Sequence, residues 1–338
     1  MSQLKALDHL TLEDGELFHD GKGRPRPLPV PLAPLADTHG HLGSLSLHDP
    51  ALALARAALA GVRLLVVPVD PVEEMPSKWA DAESLAAWLD LHRSIACDCL
   101  EECAAAGMVP PSFEGRGEDV PDLLDNVRVL VGAHPYGAAS VDDDVIARMR
   151  DVLALPQCVG VGEVGLDYGP YNEAGVEDQE RALRVQLRLA HELGVPVELH
   201  VRDAVGDPHA GAHLDVARVL REEGVPEAGC VLHCFTSDPK VMEDFAELGC
   251  SVAFGGALTF SRSEKIRRAA ALCPSRCLLS ETDCPYMAPV PLRGEECEPA
   301  MVAFTAAAVA DAREALGRAT RQQTYDALWE NARALFMR

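Results

Sequence analysis

The sequence predicts an α/β fold, a (β/α)8 TIM barrel with an N-terminal arm and a helical insertion after the second strand. Eight short apolar runs alternate with longer helix-patterned segments, the pattern of a parallel sheet whose two faces are both covered. Each run stays apolar until its C-terminal end, where a polar side chain of metal-ligand type appears, and that end carries the active site in such barrels. The length of 338 residues exceeds the roughly 250 that a plain barrel needs, which leaves room for the arm and the insertion.

The arm is expected over residues 1–34, with a single barrel domain over 35–338. Residues 22–34, KGRPRPLPVPLAP, hold five prolines, and each fixes φ and removes a donor, so this stretch is extended. The strand candidates then follow in order: LADTHGHL, VRLLVVPV, VRVLVGAHP, CVGVGEVGLDY, VPVELHVRDA, GCVLHCFTS, CSVAFGGALTF and CLLSETDCPYM. Between the second and third, near residues 71–127, the connection is too long for a plain barrel. Its SLAAWLDLHRSIACDCLEECAAAG portion reads as helix and its MVPPSFEGRGEDVP portion as looser chain. The clearest helix is 179–194, where Leu183, Leu187, Ala190 and Leu193 recur at three- and four-residue steps and Gly194 follows as a stop.

Composition excludes several function classes. The hydrophobic share is 48% and the charged share 25%, close to soluble averages, and no apolar stretch reaches the roughly 18 residues of a membrane span. The polar, acidic N-terminus has no h-region, so the expected compartment is the cytoplasm, with no membrane partner. The formal charge of −23 argues against a broad basic surface tracking many phosphates; a polyanionic substrate must be held locally, and metal ions can supply that charge. The 11 cysteines read as buried reduced thiols. The spacings of Cys97, Cys99 and Cys103, and of Cys273 and Cys277, also fit zinc, but helical and core positions explain them equally.

The candidate chemistry lies at the run ends. His39 and His41 alternate in phase with Asp37 one layer deeper, Glu163 is in phase with Asp167, His200 with Arg202, and Glu281 with Asp283, while His233 ends its own run. Singly, each is as readily an ordinary hydrogen-bonded strand-end residue. Together, His39, His41, Glu163, His200, His233 and Asp283 converge at one mouth as a six-ligand constellation.

The pieces DTHGHL, GAHP, GEVGLDY, the helix running into ELHVRDA, LHCFT, FGGALTF, ETDCPYMAP and NARALF give the chain a specific resemblance, over roughly residues 36–337, to the TatD-like metal-dependent hydrolases and deoxyribonucleases, among the amidohydrolase-type barrels. The resemblance implies that His39, His41, Glu163 and Asp283 hold one divalent ion and Glu163, His200 and His233 another, with Glu163 bridging. Leu183 stands where the family usually has an aromatic residue.

On that reading two ions, zinc, manganese or magnesium, activate a water and clamp a phosphodiester. The catalytic residues are then Asp283, Glu163 and Arg202. Asp283 binds a metal and handles the water's proton, while Arg202 and His134 contact substrate; an ion pair of Arg202 with Glu198 or Asp203 is the rival reading. Asp37, Asp167 and Glu281 are expected to support the ligands from behind, by accepting a ligand imidazole N–H or bracing a loop. The glycines of FGGALTF would let that loop approach the substrate. Arg262, Lys265, Arg267 and Arg268 form the basic cluster near the expected mouth, which suits a short stretch of nucleic acid or is a solvated helix face. The expected function is cleavage of DNA, a short single strand or a 3' end; the alternative is hydrolysis of a small-molecule amide, lactone or phosphoester.

Overall fold

A computed structural model describes Leu10, residues 15–113 and residues 120–337. Residues 1–9 and 11–14 of the expected arm, residues 114–119 of the expected insertion, and residue 338 lie outside that description. Eight parallel strands run in sequence order: β1 (Leu35–Asp37), β2 (Val62–Val69), β3 (Val127–Val131), β4 (Cys158–Asp167), β5 (Val197–Arg202), β6 (Cys230–Leu232), β7 (Ser251–Phe254) and β8 (Leu278–Ser280). The circle closes between β8 and β1, where Thr38 N donates to the Ser280 carbonyl at 3.2 Å and Ser280 Oγ to the Ala36 carbonyl at 3.2 Å. The chain is a (β/α)8 TIM barrel.

Helices cover the barrel: α1 (Pro50–Leu59), α2 (Ala82–Ala105), α3 (Asp143–Leu153), α4 (Val176–Leu193), α5 (Gly211–Glu223), α6 (Pro239–Glu247), α7 (Glu264–Leu272), α8 (Val302–Ala315) and α9 (Arg321–Phe336). Their starts are written locally. Asp49 and Asp238 cap helices that open with a proline, whose missing N–H is harmless there, and capping boxes Asp81/Ser84 and Thr320/Gln323 open α2 and α9. Helix α4 ends on Gly194 at φ 64°, the left-handed cap that glycine adopts without strain; it begins three residues before the sequence suggested. The insertion is mainly α2, which buries Leu85, Leu89, Ala96, Cys99 and Cys103 along one stripe. In the arm, Phe18 is buried edge-on against Phe304, 6.5 Å between centroids, with the Arg56 guanidinium over its ring.

The strands are shorter than their apolar runs. The ladder stops at Asp37, Leu232 and Ser280, so His39, His41, His233, Glu281 and Asp283 sit just beyond strand ends rather than in them. Their backbone groups are still taken up one by one: Gly40 N reaches the Val66 carbonyl, His41 N the Cys284 carbonyl, Asp283 N the His39 carbonyl and His233 N the Leu199 carbonyl, at 2.8–3.1 Å. These bonds hold the segments against their neighbours after the regular ladder ends.

Candidate metal centre

Glu163 lies at the middle of the site. The register of β4 against β5 shifts between Val161 and Val164, an irregularity of the kind that re-aims side chains near active sites. Gly162 permits the approach, since a Cβ there would stand 2.7 Å from the Glu198 Cβ. The Glu163 carboxylate divides between two groups. Its Oε1 faces His41 Nε2 at 3.4 Å and His39 Nε2 at 3.8 Å, whereas its Oε2 faces His233 Nε2 at 3.0 Å and His200 Nδ1 at 3.1 Å. Asp283 joins the first group, with Oδ1 3.7 Å from His41 Nε2 and 3.9 Å from His39 Nε2. All six residues singled out from the sequence as ligand candidates meet within one cluster.

Two carboxylates fix which nitrogens face inward. Glu198 Oε1 holds His39 Nδ1 at 2.6 Å, deep in the barrel, and Asp167 Oδ2 holds His200 Nε2 at 3.0 Å. An imidazole that donates outward presents its other nitrogen as a lone pair toward the centre. His39 Nε2 and His41 Nε2 then face each other at 3.1 Å, as do His200 Nδ1 and His233 Nε2 at 3.3 Å. Such nitrogens and carboxylate oxygens need a positive species between them. Burial pushes the His200 imidazolium down, but Asp167 and Glu163 outweigh it and raise it to about 9, so a proton stands where a cation would. Burial likewise opposes ionisation of Glu163, yet the facing His134, His233 and His200 hold it well below the ordinary glutamate range. The donor set, all imidazole nitrogen and carboxylate oxygen, fits divalent metal ions such as zinc or manganese.

The supporting residues divide between holding an imidazole and bracing a loop. Asp167 does receive a ligand imidazole. Asp37 braces the loop after β8, accepting from Thr282 N at 2.8 Å and Thr282 Oγ1 at 2.6 Å, and burial pushes it up to about 8. Glu281 accepts from the Cys234 amide at 2.5 Å and stands 3.9 Å from His233 Nδ1, beyond hydrogen-bond reach. Glu198, read from sequence only as a possible partner of Arg202, is the missed support. Its signal was available: a carboxylate inside an apolar strand, in phase with His200. Cys234 was also missed; its thiol donates to Asp283 Oδ2 at 3.4 Å, and both residues have positive φ, 46° and 56°, a strained backbone for non-glycine residues that clusters at functional sites.

The centre floors a cavity of about 820 Å³ whose lining includes Asp70, Glu73, Glu74, Tyr136, Tyr171 and Tyr286 besides the ligand candidates other than His39. Arg202 is the single Arg or Lys among the lining residues. Its rival pairings are not formed: Glu198 faces His39, and Asp203 Oδ2 holds His213 Nδ1 at 2.8 Å. His134 lines the cavity as well. Its Nδ1 accepts from Tyr136 N at 3.2 Å, which leaves the proton on Nε2, 4.0 Å from Glu163 Oε2. Burial and the neighbouring His200 push its imidazolium down to about 3, so a neutral N–H donor points into the site.

Geometry narrows two sequence expectations. None of Arg262, Lys265, Arg267 and Arg268 lines the cavity; Arg267 is committed to the carbonyls of Leu258 and Phe260, which ties α7 to the preceding loop. Of the glycines of FGGALTF, Gly256 answers to packing, because a Cβ there would stand 2.1 Å from the Met287 carbonyl oxygen, whereas a Cβ on Gly255 would meet nothing closer than 3.6 Å. The cysteines are free thiols, mostly buried, and the candidate metal groups among the described residues contain no cysteine.

A sequence model of the TatD related DNase family matches residues 36–337, the barrel from its first strand to its last helix. The chain belongs to this family. Among TatD relatives, the Escherichia coli K12 protein named uncharacterized metal-dependent hydrolase YcfH is 38% identical over 224 residues, 66% of this chain and 80% of that one. A Pantoea vagans protein named 3'-5' ssDNA/RNA exonuclease TatD is 37% identical over 164 residues, 48% of this chain and 59% of that one. The crystal structure of YJJV, a TatD homologue from Escherichia coli K12, superposes with a TM-score of 0.66 at 26% identity, covering 91% of this chain and 99% of that one. Among the described residues no helix is long and apolar enough to cross a membrane.

Proposed function

We propose that this TatD-family chain is a two-metal phosphodiesterase acting on DNA, at a short single strand or a 3' end. The observation that carries the reading is the Glu163 carboxylate, with one oxygen toward His39 and His41 and the other toward His200 and His233. Relatives named metal-dependent hydrolases and ssDNA/RNA exonucleases support it. His39, His41, Asp283 and one oxygen of Glu163 would hold one ion, and His200, His233 and the other oxygen the second. Bound divalent ions supply Lewis acidity and positive charge at the phosphodiester, and the five carboxylates lining the cavity (Asp70, Glu73, Glu74, Glu163 and Asp283) against one arginine make that charge necessary for a polyanion to enter.

The chain's own groups do the rest. Asp283, whose Oδ1 faces His39 and His41 and whose Oδ2 accepts from the Cys234 thiol, would take the proton of the attacking water on its carboxylate. Arg202 offers a planar fork to a phosphate, and His134, its ring 4.3 Å from that of His200, adds its neutral Nε2–H. The test is an assay of the purified chain, with and without chelator, against single-stranded DNA, duplex DNA, a small phosphoester and an amide. Metal-dependent cleavage of the single strand is expected; activity confined to the phosphoester or the amide would replace the nuclease reading with the small-molecule one.

A further inference from the structure

Aromatic residues are scarce here and rarely exposed. Of the 3 Trp, 5 Tyr and 8 Phe residues, all within the described residues, only Tyr171 at 74% and Tyr286 at 57% are exposed, and both line the metal-centre cavity. They stand by different halves of it. The Tyr286 ring lies edge-on 6.2 Å from the His41 ring, and its backbone N–H donates to the Asp283 carbonyl at 2.9 Å. Tyr171 follows β4, and the Arg202 guanidinium sits over its ring at 5.7 Å. Folding gains little from leaving a large ring in water, so two such rings, both at one cavity and nowhere else, indicate a ligand with flat apolar faces.

We propose that Tyr171 and Tyr286 form a base clamp, each stacking one unpaired nucleobase, so that the intervening phosphate is presented between Arg202 and Asp283. The inference rests on the nuclease reading and deepens it: paired bases already stacked in a duplex offer no free face, so the clamp selects single strands. Both tyrosines are positioning residues. Their surroundings are solvent on one side, so replacing them leaves the core untouched.

The experiment measures affinity rather than turnover, on the metal-loaded full chain, using a short oligothymidylate and an abasic strand of equal length, both phosphorothioate-linked so that they persist. The clamp predicts that the base-bearing strand binds about 10-fold or more tighter, the size expected of base stacking. Tyr171→Leu and Tyr286→Leu should each shrink that ratio, the double variant should bring it near unity, and Tyr171→Phe and Tyr286→Phe should restore it. A wild-type ratio near unity, or Leu variants that keep the full ratio, overturns the clamp even if the strand is cleaved. A base-dependent ratio in a chain that cleaves no DNA would leave the clamp standing and remove the nuclease reading.

Discussion

Around Glu163 the centre has two halves that match in exposure, each pairing a buried imidazole with a partly exposed one, and differ in support: one, closed, is backed by Glu198, and the other, open to Arg202, is backed by Asp167. In the closed half His39 is fully buried and its outer nitrogen rests on Glu198, itself fully buried and pushed up to about 8 by that burial. In the open half His200 is partly exposed, and its support, Asp167, is held below the ordinary aspartate range: burial opposes this, but the His200 hydrogen bond and charge, together with Arg202, prevail. Both halves use a buried carboxylate behind an imidazole, yet only Asp167 lies beside a permanent cation, Arg202. A charge in the first place depends on the metal centre for its compensation, whereas the second is already compensated by protein. The closed half should therefore couple metal binding to folding, and the open half should tune substrate and ligand without threatening the fold.

The strongest way to break the comparison is to remove what joins the halves. Glu163→Ala should lose both ions and essentially all turnover, because each half then lacks its shared oxygen. Elemental analysis of the purified variant checks this. Full metal occupancy would show that the halves bind independently and that Glu163 does not bridge. Next in size is Asp283→Asn, which keeps one oxygen ligand and removes the base. Metal content should fall modestly while kcat falls by roughly 10²–10⁴-fold, with substrate affinity little changed; turnover near wild type would make Asp283 a bystander to proton transfer.

A smaller effect separates the supports. Glu198→Gln and Asp167→Asn each leave a hydrogen-bonding amide behind the imidazole but remove the acceptor's charge, a change typically worth 10–100-fold in metal affinity or activity. Glu198→Gln should lie at the upper end and Asp167→Asn at the lower, read by competitive chelation. The reverse order would mean that the compensating cation beside Asp167 does not set the dependence.

How legible these halves were in the sequence follows from what each residue answers to. The barrel and the six ligand candidates could be read because strand-end position and period-two alternation are local properties of the chain, legible even though the regular ladder stops before His39 and Asp283. Glu198 escaped because its partner, His39, lies 159 positions away on the far side of the barrel, and nothing in VPVELHV says which strand its carboxylate faces. The same limit left Arg267 and Gly256 undecided: a basic cluster suited nucleic acid or a solvated helix face, and a glycine pair allowed a loop to approach the substrate, while the contacts that fix them, to Leu258, Phe260 and Met287, come from loop packing that no periodicity encodes. Tyr171 and Tyr286 passed unremarked for a related reason, since exposure of an aromatic side chain is a property of the assembled mouth.

The smallest effect sharpens the comparison through pH. Asp37 and Glu198 are each pushed up to about 8 by burial, and His200 is raised to about 9 despite burial by Asp167 and Glu163. In all three the folded chain keeps a proton that the unfolded chain has already released, so folding stability is lost as pH rises through the interval between the two values. His134, held at about 3 by burial and His200, and His233, lowered by burial and His39, act in the opposite sense, but only up to the ordinary histidine value of 6.5. Between about pH 6.5 and 8 every one of these contributions therefore falls or is flat. The metal-stripped chain should show a Tm that declines across that window. Saturating metal should flatten the decline, because the ion takes the place of the His200 proton and compensates Glu198. Glu198→Gln should remove one share of the slope in the stripped chain, at most about 1.4 kcal/mol per pH unit, whereas Asp167→Asn, by withdrawing a support that raises His200, should trim only the upper end of the window. A stripped chain whose Tm is constant or rises from pH 6.5 to 8 would show that Glu198 is compensated by protein alone, and the distinction between a closed and an open half would then rest on geometry without an energetic counterpart.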